Sequence, residues 1–337
     1  MSLPTLWFVL IAVLFVGYLF LEGFDYGVGM LLPFVGKTDQ ERRAILATMG
    51  PVWDANQVWL ITAGGALFAA FPNWYATLFS GFYLGLALLL GGLIVRGVGL
   101  EFRSKDRRPE WRNRWDALIV IGSAIPPIVW GLAMGNVLHG VPIDQHMNYV
   151  GTFFTLLNPY ALVGAIAAVL LFLLHGALYL DLKAPEELSL RAHQTAYRVG
   201  MWATVSYFLF VALSYFYANF AHKLGVDPGP IPLLAGLSMI AVRFLLPGRR
   251  RGWAFVAGGL TIVLSTASVF LALFPRVMIS SLNPHWSLTI YNAASNLYSL
   301  RVMTVVAVTV LPIVLAYQAW TYWVFRKRVS LKDTFHY

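Results

Sequence analysis

The sequence predicts an all-α, polytopic membrane protein. Hydrophobic residues make up 59% of the 337 residues and charged residues only 12%, whereas a soluble domain has about 25% charged residues. Apolar stretches of about 20 residues, the length that crosses the hydrocarbon core of a bilayer, recur along the whole chain. Lys and Arg collect in alternate connectors between these stretches, which is the pattern that membrane topology imposes.

The apolar stretches predict nine transmembrane helices in one integral membrane domain, residues 1–337. Pro126-Pro127 marks an expected kink in the fourth helix. We expect two four-helix bundles plus one peripheral helix: helices 1–4 in residues 1–140, helices 5–8 in residues 150–275, and helix 9 in residues 299–326. The predicted helices are Leu6–Leu32, Pro51–Phe71, Trp74–Leu100, Trp115–Leu138, Phe154–Leu180, Val199–Phe220, Ile231–Leu246, Trp253–Phe274 and Leu300–Phe325.

The basic residues predict the orientation of these helices. If the N-terminus is outside, the outer connectors contain only Lys223 and Arg276, and almost all other connector Lys and Arg residues lie on the inner side. This asymmetry predicts an outer N-terminus and a cytoplasmic C-terminus, as the positive-inside rule requires. The net charge of +9 therefore reflects topology, and it does not indicate nucleic-acid binding.

Acidic residues inside the first two helices are the main candidates for function. Glu22 and Asp25 are three residues apart and so share one helix face, and Asp54 with Asn56 begins the next helix on the same side of the membrane. An ionised carboxylate at membrane depth costs several kcal/mol, so such residues usually line a polar path or have a partner. Neither of the two helices contains Lys or Arg, which favours a proton or cation entry. The alternative is that these acids bond to backbone or to an Arg and only fix the packing.

Other polar and small residues have less distinctive interpretations. Arg96 near the end of helix 3 is expected to anchor the membrane interface by extending its side chain to water, whereas Glu101 beside it is a further candidate for the proton entry. Gly23-x-x-x-Gly27, Gly64 and Gly65 are expected to let helices pack closely.

The sequence gives little support for a metal centre in this chain. There is no Cys, which excludes thiolate ligands and Cys-ligated clusters. Haem ligation needs His, or His with Met, inside the helices, and only His175 lies well within a predicted span. His175 is expected to be a polar residue with a hydrogen-bond partner, and copper and di-iron centres are disfavoured for the same reason. We expect no metal or catalytic redox group bound by this chain, although a structural quinone or lipid could occupy a helix groove.

At this point the sequence resembles a known family, subunit II of cytochrome bd-type quinol oxidases, over essentially its whole length. The most specific block is WDANQVWLITAGGALFAA at residues 53–70. Further matching segments are GFDYGVG at 23–29, SGFY at 80–83, Pro126-Pro127, Gly135-Asn136, residues 157–159, Phe274-Pro275 and Ser280-Ser281.

The resemblance implies a heterodimer in a bacterial or archaeal cell membrane. The partner, subunit I, would hold two b-type haems, one d-type haem and the quinol site, and a small single-helix subunit could also bind. This chain would then support quinol oxidation coupled to reduction of oxygen to water. By position, Asp25 and Asp54 would form a cytoplasmic proton route, with Glu22 beside them and Asn56 orienting Asp54 or a water molecule.

Two other functions stay open at the level of sequence. A stand-alone proton- or cation-coupled transporter could use the same acids to bind its ion. A purely structural assembly partner could use them only for packing.

Overall fold

The chain folds into a bundle of eleven α-helices among the described residues. The computed structural model describes residues 2–217, 229–248 and 250–331, so the predicted end of helix 6 at Phe220 and the outer Lys223 lie outside the described residues. The helices are α1 Leu3–Val35, α2 Asp39–Met49, α3 Trp53–Ala70, α4 Pro72–Gly81, α5 Tyr83–Phe102, α6 Pro109–His139, α7 Pro159–Lys183, α8 Glu186–Tyr217, α9 Ile231–Leu245, α10 Arg251–Leu273 and α11 Leu297–Val324.

Seven helical segments of the described chain are long and apolar enough to cross a membrane: α1, α5 with its short continuation to Lys105, α6, α7, α8, α10 and α11. Helix α9 is a shorter apolar helix of 15 residues, and α3, which begins with polar residues, is not among the seven. The all-α membrane class is confirmed, whereas the count of nine spans, the bundle arrangement and the orientation stay predictions.

Helix α1 lies at the centre of the bundle and contacts α3, α6, α7 and α10. Its second half is buried from Glu22 through Leu32. The closest approach is to α7, where a Cβ on Gly27 would lie 2.1 Å from the Phe172 carbonyl oxygen and 2.7 Å from Gly176 Cα. The packing role predicted for Gly27 is therefore confirmed, because a larger side chain would force the two backbones apart.

The prediction of one continuous third helix from Trp74 to Leu100 is wrong. The backbone breaks at Phe82 (φ −98°, ψ 17°), which separates α4 from α5. At the break the Tyr149 ring, from the segment between α6 and α7, packs against Gly81, where a Cβ would lie 2.8 Å from Tyr149 Cγ. The helix is thus interrupted where a residue distant in sequence packs against it, a contact that the continuous apolar run did not reveal.

Helix α2 was not predicted, because the stretch between the first two apolar runs was interpreted as a basic connector. Thr38 and Glu41 form a reciprocal capping box at its start, and Ala44, Ile45, Leu46 and Met49 are buried on one face. A capping pair three residues apart, followed by apolar residues at helical spacing, is a recognisable signature of an amphipathic helix.

The segments that follow α6 and α10, together with α11, complete the fold. Residues 276–278 and 288–289 pair as a small antiparallel sheet, and Val141 bridges to Ser280 beside it. Helix α11 is mostly exposed: only 6% of its most apolar stretch is buried. The Trp7 indole anchors it to α1 by donating to Leu300 O at 3.2 Å and to Thr304 Oγ1 at 3.0 Å.

Candidate functional site

Glu22, Asp25 and Arg96 form a fully buried ionic cluster between α1 and α5. Arg96 Nη1 donates to Glu22 Oε2 at 2.6 Å, and Arg96 Nη2 lies 4.0 Å from Asp25 Oδ2. The expectation that Arg96 extends to the membrane interface is wrong, whereas pairing of these acids with an Arg is the alternative that the sequence had left open. The cation comes from α5, because a buried carboxylate pair without a counter-charge would cost more than burying the guanidinium with it.

Asn56 connects this cluster to α3 and α11. Its Nδ2 donates to Asp25 Oδ2 at 2.7 Å, and its Oδ1 accepts from Tyr322 Oη at 2.7 Å. Gln318 also reaches Asn56 Oδ1 at 3.5 Å and accepts from Trp59 Nε1 at 2.8 Å. Asn56 therefore hydrogen-bonds Asp25, whereas the resemblance had implied that it would orient Asp54 or a water molecule.

A pair of tyrosines extends the polar cluster along α1. Tyr18 Oη and Tyr26 Oη are 2.5 Å apart, and Trp130 Nε1 of α6 donates to Tyr18 Oη at 2.9 Å. The Arg96 guanidinium carbon lies 4.9 Å from the centroid of the Tyr26 ring. Hydroxyl, carboxyl and guanidinium groups thus meet in one buried region within an otherwise apolar bundle.

The charges of this region do not cancel when both acids are ionised, because two carboxylates face one guanidinium. With one carboxyl protonated the cluster is neutral, so it can hold one exchangeable proton at little electrostatic cost. Glu22 Oε1, Asp25 Oδ1, Arg96 Nε and Arg96 Nη2 have no hydrogen-bond partner among the described residues. Buried polar atoms without partners are rare and usually mark hydration or a functional group.

Asp54 and Glu101 are not part of this buried cluster. Asp54 is exposed at the start of α3 and lines a groove of about 700 Å³ between α3, α4, α5 and α6. Glu101 is exposed near the end of α5. The five predicted site residues therefore divide into three buried ones, Glu22, Asp25 and Asn56, and two exposed ones.

Sequence reasoning missed the groups that other helices bring to the cluster. These are Arg96, Tyr18, Tyr26, Trp130, Gln318 and Tyr322. One signal was available: Arg96 lies four residues before the predicted end of helix 3 at Leu100, and a cation placed inside a span usually has a buried partner.

On the predicted cytoplasmic side, ion pairs hold α2 against the bundle. Arg191 of α8 donates to both carboxylate oxygens of Glu41, to Oε2 at 2.9 Å. These hydrogen bonds, with those from the Lys37 and Thr38 backbone, lower the pKa of Glu41 from 4.5 to about 2. Asp116 similarly pairs with Arg103 at 2.5 Å and with Arg42 at 2.8 Å.

His175 lies buried in α7 and is surrounded by aromatic rings. Its Nε2 hydrogen-bonds the Phe20 carbonyl oxygen at 3.1 Å, and its ring stacks on Phe255 with centroids 4.8 Å apart. Within residues 2–217, 229–248 and 250–331, no group of three or more His, Asp or Glu side chains is arranged to hold a metal ion. His175 thus has a hydrogen-bond partner and packs as part of the core.

Comparisons with known proteins all match one family over nearly the whole length of the chain. The family described as "Cytochrome bd terminal oxidase subunit II" matches residues 3–325. "Cytochrome bd ubiquinol oxidase subunit 2" of Bacillus subtilis (strain 168) is 42% identical over 100% of this chain and 99% of its own length. "Cytochrome bd-I ubiquinol oxidase subunit 2" of Escherichia coli (strain K12) is 39% identical over 98% of this chain and 96% of its own.

A solved structure has the same fold. A chain of the bd oxidase from Geobacillus thermodenitrificans aligns with a TM-score of 0.76, covering 96% of this chain and 99% of that one. The sequence identity in that alignment is 18%, so the likeness concerns the arrangement of the helices.

Proposed function

Because this chain belongs to the family of cytochrome bd terminal oxidase subunit II, we propose that it carries protons from the cytoplasm to a haem-bearing oxidase subunit. The family is that of an oxidoreductase complex in a respiratory chain, and the chain is a multi-pass membrane subunit of it. The proposal concerns what this subunit contributes to quinol oxidation and oxygen reduction. A stand-alone transporter is not favoured, since the matched relatives are oxidase subunits over their full length.

The observation that carries the proposal is the buried pair of carboxyls with one shared cation. Glu22 has the direct 2.6 Å contact with Arg96, whereas Asp25 is 4.0 Å from the guanidinium and accepts from the neutral Asn56 amide. Asp25 is therefore the carboxyl that gains and loses the proton, and Glu22 stays paired. Asp54 and Glu101 are exposed and collect protons at the predicted cytoplasmic side.

The direction of this transfer explains how such a complex conserves energy. Reduction of oxygen to water consumes protons, and quinol oxidation releases them. If the consumed protons come from the cytoplasm and the released ones leave on the outside, charge is separated across the membrane without a pump. In this scheme the haems b and d and the quinol site belong to subunit I, in the plasma membrane of a bacterium or archaeon, with nine spans and an outer N-terminus in this chain.

The surface that meets subunit I is the open face of α3 and α5 with the adjoining α11. Among the described residues, no atom lies within 4 Å of the place where a Cβ of Gly64 or Gly65 would be, so the small-residue packing predicted for them would be with another protein. Asp54 and Gln57 line the groove on the same face. Polar groups at membrane depth are costly against lipid, which favours a protein on this face.

The test is Asp25→Asn in the purified complex. Asparagine keeps the size and the bond to Asn56 but carries no exchangeable carboxyl proton, so we expect quinol-driven oxygen consumption to fall by roughly 10²-fold. Haem absorbance and copurification of subunit I should be unchanged. Glu110→Gln, which removes an exposed acid in the first turn of α6, is the matched control and should turn over normally.

Two outcomes contradict the proposal. Normal oxygen consumption with Asn at position 25 removes this carboxyl from the proton route. Loss of haem and of the partner subunit, in this variant and also in Asp25→Glu, assigns the residue a structural role.

A further inference from the structure

A cavity of about 630 Å³ lies between the predicted inner ends of α1, α7, α10 and α11 and the segment 326–329. It is partly open, and it is separate from the groove on the α3 and α5 face. Its walls are largely aromatic and aliphatic, with Phe20, Phe24, Tyr179 and Phe255 at its deep end. Phe24 and Tyr179 stack with centroids 4.1 Å apart, which fixes this part of the wall.

The mouth of the cavity is strongly basic. Lys183, Arg326, Lys327 and Arg328 line it, and no carboxylate is among the described residues that do so. Glu186, just outside, pairs with Arg328 and with Arg251. Arg326 and Lys327 are exposed, and neither forms an ion pair with an acid among the described residues. The Arg326 guanidinium packs on the Trp323 ring and donates to the Trp323 carbonyl oxygen at 2.6 Å, contacts that leave its positive charge uncompensated.

The aromatic wall of the cavity favours an apolar group, whereas the basic mouth favours an anion. A volume of about 630 Å³ equals roughly 20 water molecules at about 30 Å³ each, but apolar cavities do not hold water well. An inorganic anion would satisfy the mouth and leave the aromatic end unfilled. A molecule with an anionic head and an acyl chain satisfies both.

We propose that this cavity binds one anionic phospholipid of the cytoplasmic leaflet. Its phosphate lies between Arg326 and Lys327, and an acyl chain enters toward Phe20 and Phe255. The position fits, because the mouth follows directly after the C-terminal end of α11 at Val324, where a span meets the headgroup layer. Clustered Lys and Arg residues next to a span attract anionic lipid electrostatically. The proposal is independent of the proton route, because its test measures lipid bound to the complex and not the rate of oxygen consumption.

The experiment counts lipids on the purified, delipidated complex by native mass spectrometry. The probes are dioleoylphosphatidylglycerol and, as the zwitterionic comparison, dioleoylphosphatidylcholine. We expect one phosphatidylglycerol to remain bound at concentrations where phosphatidylcholine dissociates. In Arg326→Gln/Lys327→Gln the affinity for phosphatidylglycerol should fall by roughly tenfold or more, since two cations are removed.

Two further variants separate this site from general charge effects. Lys105→Gln/Arg107→Gln removes the same charge from exposed residues at the end of α5, away from the cavity, and should bind like the unmodified protein. Ala47→Trp keeps every charge and fills the cavity from α2, and should lose the tightly bound lipid.

The proposal is overturned if the unmodified complex holds both lipids equally, or if the Arg326→Gln/Lys327→Gln complex keeps the preference. It is also overturned if millimolar glycerol phosphate displaces the lipid from the unmodified complex, because the site would then recognise the anion alone. Copurification of a quinone in place of a phospholipid at this site, identified by its mass and lost with Ala47→Trp, overturns it as well.

Discussion

Arg96 decides the electrostatics of the site because it is the only cation within hydrogen-bond distance of Glu22 or Asp25 among the described residues. It is fully buried, its Nη1 is 2.6 Å from Glu22, and its Nε has no partner among the described residues. A guanidinium in this position offsets the charge of one carboxylate, which lowers the cost of burying two carboxyl groups in an apolar bundle. The residue is thus required for the site even though it is not expected to carry the proton itself.

Removing this cation should destabilise the complex. Arg96→Gln leaves two acids buried without a counter-charge, and breaking a buried ion pair in this way typically costs about 3–5 kcal/mol. We expect a lower midpoint in thermal unfolding of the detergent-solubilised complex, followed by absorbance of the bound haem. Arg107→Gln, an exposed arginine, should leave the midpoint unchanged.

A second substitution distinguishes lost charge balance from lost packing. In Glu22→Gln/Arg96→Gln one carboxyl and one cation are removed together, so Asp25 can be neutral on protonation and most of the stability should return. If the double variant is as unstable as the single one, the role of Arg96 is packing against Tyr26 and not charge compensation.

At the scale of elements, α2 depends on interactions at its first turn. The Thr38 and Glu41 capping box begins the helix, and Arg191 of α8 clamps the same Glu41 carboxylate against the bundle. The sequence determines where α2 can begin, whereas the clamp requires that α8 extend to Glu186, well before the predicted start of that helix at Val199. The polar first turns of α8 hide this extension from a hydropathy argument.

The ion pair at Glu41 predicts a pH dependence. Because the folded-state pKa is lowered to about 2 from 4.5, the stabilisation is complete above about pH 4.5 and is lost as the pH falls toward 2. We expect Glu41→Gln to lower the unfolding midpoint at pH 6, and the difference from the unmodified protein to shrink between pH 4.5 and pH 3. Unfolding of the solubilised complex at a series of pH values checks this.

The control for this experiment is Glu110→Gln, which removes an exposed acid in the first turn of α6. A difference for Glu41→Gln that is the same at pH 6 and pH 3 would contradict the ionic origin of the effect. It would then be assigned to the hydrogen bonds of the cap, which glutamine retains only in part.

At the scale of the whole molecule, the exposed surfaces of α3 and of α8 and α9 differ in composition. Most exposed residues of α8 and α9 are apolar, as expected against lipid, but the face of α3 combines Asp54 and Gln57 with open positions at Gly64 and Gly65. A face with both polar groups and small residues fits another protein better than it fits lipid chains. Assembly of the complex should therefore depend on this face.

A larger residue on α3 tests the assembly surface. Gly65→Leu adds a side chain where no atom of the part of the chain that the structure describes lies within 4 Å of a Cβ, so the fold of this subunit should be kept while docking of the partner is blocked. We expect affinity purification through this chain to recover much less of the haem-bearing subunit. Ala212→Leu, an exposed position on α8, should recover it fully. Equal recovery in both variants would place the interface elsewhere.

The sequence by itself determined the membrane class and most of the helices, and it singled out Glu22, Asp25 and Asn56 as candidates, because hydropathy and polar residues inside apolar runs are local properties of the chain. Only the tertiary structure decided that Arg96 is buried beside these acids, that Tyr322 reaches Asn56, and that Asp54 and Glu101 stay outside. These contacts join α1, α3, α5 and α11 across long sequence separations. Their geometry follows from how the helices pack, since an isolated span does not specify which face meets which neighbour.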